Sequence, residues 1–248
     1  MGFALEEKRK LLETLYEFIE ATYRNFPLAC VPGCKLCCTE RIWATSLEAY
    51  YLLDVLSEEE YNFLETWAKE GYPRPVLTTN QLALCYLQGG EPPLEPAYEG
   101  LKPCPFLTPE ALCKFYERRP LMCRVMASVK ICKDFAELPP FLFQVSTLAF
   151  QIVENIDIGG VYGSFFDLLK FLKRYQEGLV KEVPEELLSN VELEEFPILP
   201  EERELKRWLG ELYRAPVKGT SYTFRELWQK LRKDFEKYQK LNFLRDLL

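Results

Sequence analysis

Apolar residues recur at three- and four-residue intervals over residues 4 to 25. Leu12, Leu15, Ile19, Tyr23 and Phe26 form one stripe with Glu, Lys and Arg between them, which predicts an amphipathic helix ended by Pro27. Thr45 and Glu48 have capping-box spacing ahead of an apolar run. Ser57 and Glu60 repeat that spacing, so two more helices are expected, the second stopping near Gly71. QLALCYL (81–87) reads as a short strand, and the Pro- and Gly-rich residues 88–105 read as a loop. Thr108-Pro109-Glu110 has the pattern of a helix start, with Pro at the first position. Beyond Pro139-Pro140 the pattern predicts about five helical segments, roughly 141–155, 162–177, 184–190, 201–213 and 223–246. The most apolar of them, FLFQVSTLAFQIV (141–153), is too short to span a bilayer and carries Gln144 and Gln151, so it reads as a buried helix. The expected fold class is mainly α. Residues 1–138 form a cysteine-rich unit with an N-terminal helix, few short strands and long loops, and residues 139–248 form a helical region packing on it.

Composition narrows the chemistry. The chain has 248 residues, 48% of them hydrophobic, which is enough for one large domain or two small ones with a true core. A net charge of −7 argues against nucleic acid as a partner. The opening MGFALEEKRKLLETLYEFIE has no uninterrupted apolar stretch of the secretory kind, and Glu6 stands where a myristoylation pattern needs Ser or Thr. The expected location is therefore the cytoplasm, where thiols stay reduced. The chain has no histidine, which removes the commonest neutral metal ligand and general base and excludes Ser/His/Asp and Cys/His catalysis.

Nine cysteines then point to metal before disulfides, and the odd number fits full pairing poorly. Four of them, Cys30, Cys34, Cys37 and Cys38, fall within CVPGCKLCC. Pro32 and Gly33 would allow a short helix to open near residue 32. Cys34, Cys37 and Cys38 would then share one face, with Cys30 folding back over the helix start, where anionic sulfur is favoured. Cys104, Cys113, Cys123 and Cys132 follow at nearly even intervals, while Cys85 sits alone in an apolar run and reads as a small core residue. The spacing matches neither a zinc ribbon nor the bacterial ferredoxin run. Residues 101 to 133 hold seven Lys or Arg against two acids, and Arg119 and Arg124 bracket Cys123, where cations would stabilise a negative thiolate centre or hold an anionic substrate.

These blocks carry a resemblance. CVPGCKLCC, KPCPFL and LCKFYERRPLMCR, in that order, resemble the YkgJ-type cysteine-cluster family, which is described as a zinc- or iron-chelating domain. The resemblance covers about residues 30 to 132 and implies Cys30, Cys34, Cys37, Cys38, Cys104, Cys113 and Cys123 as site residues, with Arg119, Pro120 and Arg124 around them. The first gap holds three residues where the family has two. Cys132 joins the metal candidates by its spacing. The same block is similar to one in bacterial flagellin lysine methylases described as iron–sulfur proteins, but no glycine motif for a methylation cofactor is present.

The first functional expectation is a protein holding an iron–sulfur cluster, of the 4Fe-4S type, with a redox or cluster-dependent role. Its partners would be a redox protein or a small anionic substrate, and whether it is an enzyme stays open. Zinc or mononuclear iron are the alternative metals, and a structural or regulatory zinc protein, a chelator or metal chaperone, and a disulfide switch are the alternative roles. Cys37 and Cys38, being adjacent, are expected to serve different metal atoms, and Arg119 and Arg124 to donate hydrogen bonds to sulfur.

Overall fold

The computed structural model of the chain describes residues 3–67, 73–96, 100–132 and 136–246. The elements in order are α1 (Leu5–Tyr23), β1 (Trp43–Thr45), α2 (Ser46–Leu53), α3 (Glu58–Trp67), α4 (Thr79–Leu87), a single 3-10 turn (Tyr116–Arg118), α5 (Leu121–Val125), α6 (Pro140–Ile156), β2 (Val161–Ser164), α7 (Phe165–Gln176), β3 (Leu188–Ser189), α8 (Arg203–Arg214) and α9 (Phe224–Asp246). The fold is mostly α with one small antiparallel sheet in the order β1-β2-β3. Its register pairs Ala44 with Gly163 and Tyr162 with Leu188.

Two apolar clusters form the interior. In the first, the α1 stripe of Leu11, Leu12, Leu15 and Ile19 packs on α6 through Leu142, Val145, Ala149 and Ile152. Trp208 and Leu212 of α8 and Phe224 and Trp228 of α9 close it, and Leu121 and Val125 of α5 sit at its edge. The second joins α2 to α7 around Phe165, Phe166 and Leu169 and includes Phe106 from the loop region. Burying each of these large side chains stabilises the fold by about 1.5–3 kcal/mol. Both clusters draw on residues from either side of Pro139.

Four expectations about elements are corrected. Residues 81–87 are helix, not strand: Thr78 accepts the Gln81 N–H at 3.1 Å while the Gln81 side chain accepts the Thr78 N–H at 2.9 Å, a capping box that starts α4. Residues 184–190 are not a helix. They turn at Pro184 and add β3 to the sheet edge, where Gly163 lets Leu187 approach so closely that a β-carbon would stand 2.5 Å from it. Thr108-Pro109 starts no helix either. Thr108 N–H bonds the Leu112 carbonyl at 2.8 Å, and the chain reverses through Ala111 at φ +59. Gly71, the expected end of α3, lies outside the described residues. Residues 162–164, expected to begin a helix, lie in β2, and α7 follows directly.

Buried polar hubs tie the layers together. Asp157, at the end of α6, accepts Ser46 O–H at 2.6 Å, Leu47 N–H at 3.0 Å and Asn190 Nδ2 at 3.0 Å, and pairs with Lys8 of α1 at 3.4 Å. The Lys8 and Asp157 side chains are 1% and 3% exposed, so neither charge is solvated if the other is lost. Asp157→Ala is therefore expected to cost about 3–5 kcal/mol, read as a fall in the urea midpoint with an unchanged denaturant slope.

Candidate metal centre

The first four cysteines ride on two consecutive turns. Cys34 N–H bonds the Val31 carbonyl and Cys38 N–H bonds the Lys35 carbonyl, each at 3.0 Å. Gly33 between them has φ +86, which a right-handed helix does not admit. The helix expected to open near residue 32 is thus replaced by turns, and Cys34, Cys37 and Cys38 do not share a helix face. Cys30, Cys34 and Cys37 are exposed, and Cys38 is half-buried.

Backbone pairing brings the distant cysteines to Cys38. Cys104 N–H donates to the Cys38 carbonyl at 2.9 Å, Glu40 N–H to the Lys102 carbonyl at 3.0 Å, and Thr39 bridges Pro103. Leu107 bridges Cys113 and Lys114 N–H returns to the Phe106 carbonyl at 2.9 Å, so the turn at Thr108–Leu112 carries Cys113 back beside Cys104. Pro120, whose ring suits a helix start, precedes α5, and Cys123 sits one turn along with its N–H on the Pro120 carbonyl at 3.0 Å. Cys104 and Cys123 lean on the second apolar cluster, beside Phe115 and Phe106.

The thiols fall into two neighbourhoods. Cys38, Cys104, Cys113 and Cys123 act on one another electrostatically in every pairing. Cys30 is acted on by Cys34, Cys37 and Cys132 instead. Cys37 lies on the seam: its S–H donates to Cys38, which raises Cys37 and lowers Cys38, and it also acts on Cys123. Burial pushes Cys104 up to about 11, and lifts Cys113 and, most strongly, Cys123 above the ordinary thiol range. Cys85 is apart from this pattern, on α4, against the turn at Gly90.

The two arginines divide. Arg119 lies over the Tyr116 ring at 3.5 Å, donates to the carbonyls of Tyr116 and Cys123 at 2.8 and 3.4 Å, and its charge favours the thiolates of Cys37, Cys113 and Cys123. Arg124 points the other way. It donates to the carbonyls of Arg119 and Glu117 at 2.8 and 2.6 Å, pairs with Glu20 of α1, and covers the Tyr16 ring at 4.0 Å. Neither guanidinium donates to sulfur as the side chains stand. Arg124 anchors the loop to α1.

Two supporting residues were not singled out from the sequence. Glu48 marked a helix start there, but its carboxylate also accepts Leu121 N–H, the first residue of α5, at 2.6 Å and Tyr16 O–H at 2.9 Å, besides Thr45 N–H at 2.9 Å. Ser128 had no signal. Fully buried, it takes the Ala29 N–H on its carbonyl at 2.8 Å and the N–H groups of Lys130 and Glu137 on its hydroxyl at 3.2 and 3.0 Å. Its own N–H reaches the Cys30 sulfur.

Residues 29–141 match the model of the CxxCxxCC family, described as “Putative zinc- or iron-chelating domain”. No curated protein and no solved structure matches the chain. The family description supports metal binding by this domain, and a thiol-only donor set suits soft or borderline metals. Among the described residues no three thiols or carboxylates stand ready to hold one ion. The backbone gathers the sulfurs, and rotation about the cysteine χ1 bonds would be needed to close any shell.

Glu48→Gln should loosen the cysteine-rich segment at α5. The amide cannot accept at both oxygen positions, so one of the Leu121 and Thr45 N–H groups loses its partner, at a cost of about 1–3 kcal/mol. In the metal-free chain the Cys123 thiol should then react several-fold faster with a thiol reagent, while Cys85 reacts as before.

Proposed function

We propose that the CxxCxxCC domain holds an iron–sulfur cluster through Cys38, Cys104, Cys113 and Cys123, with a redox or cluster-dependent role. The observation that carries this reading is the backbone tie of Cys104 to Cys38 and the Leu107–Cys113 bridge, which gather half-buried cysteines into one layer, with Cys104 and Cys123 on the same apolar cluster. Four thiolates are the usual complement of a 4Fe-4S cluster, and an apolar wall with a limited number of nearby cations sets its potential. Phe106 and Phe115 supply that wall, and Arg119 is the cation whose charge acts on the sulfurs. When bound, the cluster would supply one-electron chemistry. The chain's own part is to hold the sulfurs at fixed positions, shield one side from water and offset negative charge at Arg119. A redox protein would meet the centre from the side of the exposed turns at 31–37, and a reducing compartment such as the cytoplasm would keep the free thiols available.

A zinc centre on the same residues is the second reading. It is favoured by the lack of regular structure in the segments that carry Cys38, Cys104 and Cys113, since closed four-thiolate zinc sites stabilise such loops. Anaerobic purification separates the two. The iron–sulfur reading expects a brown protein with about four iron and about four sulfide per chain, both lost in Cys104→Ser. A colourless preparation with about one zinc per four thiols and no sulfide would replace it with the zinc reading.

Metal uptake should also depend steeply on pH. Cys104, Cys113 and Cys123 are raised by burial, so in the metal-free chain they hold their protons through neutral pH and release them when metal binds. Apparent affinity therefore rises with pH up to the raised thiol values. A competition titration at about pH 6.5 and about pH 8 is expected to give weaker binding at the lower pH, with proton release at both.

A further inference from the structure

We propose that the groove between α4, α6 and the strap at residues 191–199 is a docking site for a partner protein that presents a basic amphipathic helix. None of the candidate metal cysteines lines this groove.

The walls are apolar and open. Leu82, Ala83, Tyr86 and Leu87 of α4, Thr147 of α6 and Pro197 of the strap enclose about 330 Å³. Tyr86 and Leu87 are 62% and 59% exposed, and Phe143, one turn before Thr147 on the same face of α6, is 64% exposed. Leu199 on the strap is exposed too. Single apolar residues at a surface are ordinary, but a contiguous set around a groove between two helices marks an interaction site.

The groove is also fixed in shape. Asn80, fully buried near the start of α4, donates its N–H to Glu154 of α6 at 2.9 Å. Its Nδ2 donates to Asn155 Oδ1 at 2.7 Å and to the Val191 carbonyl at 2.6 Å. Val191 N–H donates to the other Glu154 oxygen and Asn155 Nδ2 to the Leu193 carbonyl, each at 2.8 Å. Farther along, Glu202 accepts the Gln144 amide at 2.7 Å. The buried side chains of Asn80, Glu154 and Asn155 thus tie all three walls together, and an incoming ligand need not order them.

Charge selects the partner. Residues 188–202 carry five acids, Glu192, Glu194, Glu195, Glu201 and Glu202, and no Lys or Arg, and α4 and α6 carry no Lys or Arg either. Glu194, Glu195, Glu201 and Glu204 are exposed, and among the described residues none of them forms an ion pair. An apolar groove with an acidic rim favours Lys and Arg around the incoming apolar anchor. The same rim disfavours other occupants. Two copies of this chain meeting groove to groove would set these acids against one another, and nucleic acid or an anionic lipid surface would be repelled. A helix is the shape that lies between two helices, its residues at i, i+3 or i+4, and i+7 entering the groove. The nine residues of α4 span about 13 Å, so about two turns of the partner would engage.

The test measures the fluorescence anisotropy of two labelled synthetic peptides against the full chain. Each is about 18 residues long and helix-forming, with Leu and Trp on one face. One carries Lys on the other face, and its counterpart carries Glu at every such position. The Lys peptide is expected to bind saturably, and the Glu peptide at least about tenfold more weakly. Leu82→Ser/Tyr86→Ser should weaken the Lys peptide about tenfold. Where helical circular dichroism shows that this pair disturbs the fold, Tyr86→Ser alone decides, at a side chain mostly in solvent, and a several-fold loss is expected. Glu194→Gln/Glu195→Gln should weaken the Lys peptide about three- to fivefold at low salt and have no effect at about 1 M salt, where the attraction is screened. Glu182→Gln/Glu185→Gln removes the same charge from another exposed segment and should leave binding as in wild type. Equal losses in the two glutamate variants, binding indifferent to the groove variants, equal affinity for the Glu peptide, or no saturable binding of the Lys peptide overturns the proposal. So does a wild-type dimer in sedimentation that Leu82→Ser/Tyr86→Ser converts to monomer, because the groove is then an interface between copies.

Discussion

Glu48 is fully enclosed, and its two carboxylate oxygens meet donors from three stretches of chain: Tyr16 on α1, Thr45 at the start of α2 and Leu121 at the start of α5. Among the described residues no cation forms an ion pair with it. Burial raises its pKa, and the hydrogen bonds from Leu121, Thr45 and Tyr16 work against that rise. Such a group is tolerated inside a protein only if every acceptor position is used, because an unmet one costs about 1–3 kcal/mol. The cysteine layer depends on this constraint. α5 is five residues long, too short to be stable by itself, and it carries Cys123. Its direction is fixed by the carboxylate at its first N–H and by Leu121 and Val125 in the first apolar cluster.

The rest of the cysteine layer has little secondary structure to rely on. Between Cys104 and Arg119 the chain makes turns, one isolated bridge and one 3-10 turn, and the CVPGCKLCC segment makes two turns more. Its order comes from attachment at a few points: Phe106 in the second apolar cluster, Arg124 on Glu20 and Tyr16, and Ser128 on Ala29 and Cys30. Each ties a loop to a helix or to another loop. Helices supply the rigid side of the first two ties, α1 for Arg124 and α7 for Phe106, so the second half of the chain helps to position the cysteine layer through α7.

What the sequence disclosed and what it concealed divide along the same line. The helices α1, α2, α6, α8 and α9 were legible because their apolar stripes or caps are local signals, read within one or two turns. α4 was misread because QLALCYL is apolar on several sides, and the deciding T-T-N-Q cap lies just before it. The segment 184–190 looked helical by composition, but the edge of β2 offered it hydrogen bonds, and that offer is non-local. The cysteines were legible as a set. Their grouping was not, because it depends on which loop pairs with which. Nothing near Ser128 in the sequence announces that it joins residue 29 to residue 137.

The basic stretch shows most clearly why charge counted along a chain differs from charge in the fold. Residues 101 to 133 carry a marked excess of Lys and Arg, which suggested a cationic face for an anionic cluster or substrate. In the fold most of these cations serve as staples. Lys114 pairs with Glu60, Lys130 with Glu137 and Arg124 with Glu20, while Arg118 lies over the Tyr51 ring at 4.2 Å. The charges of the three ion-paired residues are offset where they sit, and the stems of Arg124, Arg118 and Lys114 fasten loops to α1, α2 and α3. Arg119 differs. Its hydrogen bonds go to carbonyls and an aromatic ring, which leave its charge whole, and that charge acts on Cys37, Cys113 and Cys123. A guanidinium held by neutral partners is a source of positive potential, because those partners carry no charge to cancel its field. Acting on these three cysteines and not on Cys30, Cys38 or Cys104, it gives the cysteine layer an electrostatic asymmetry.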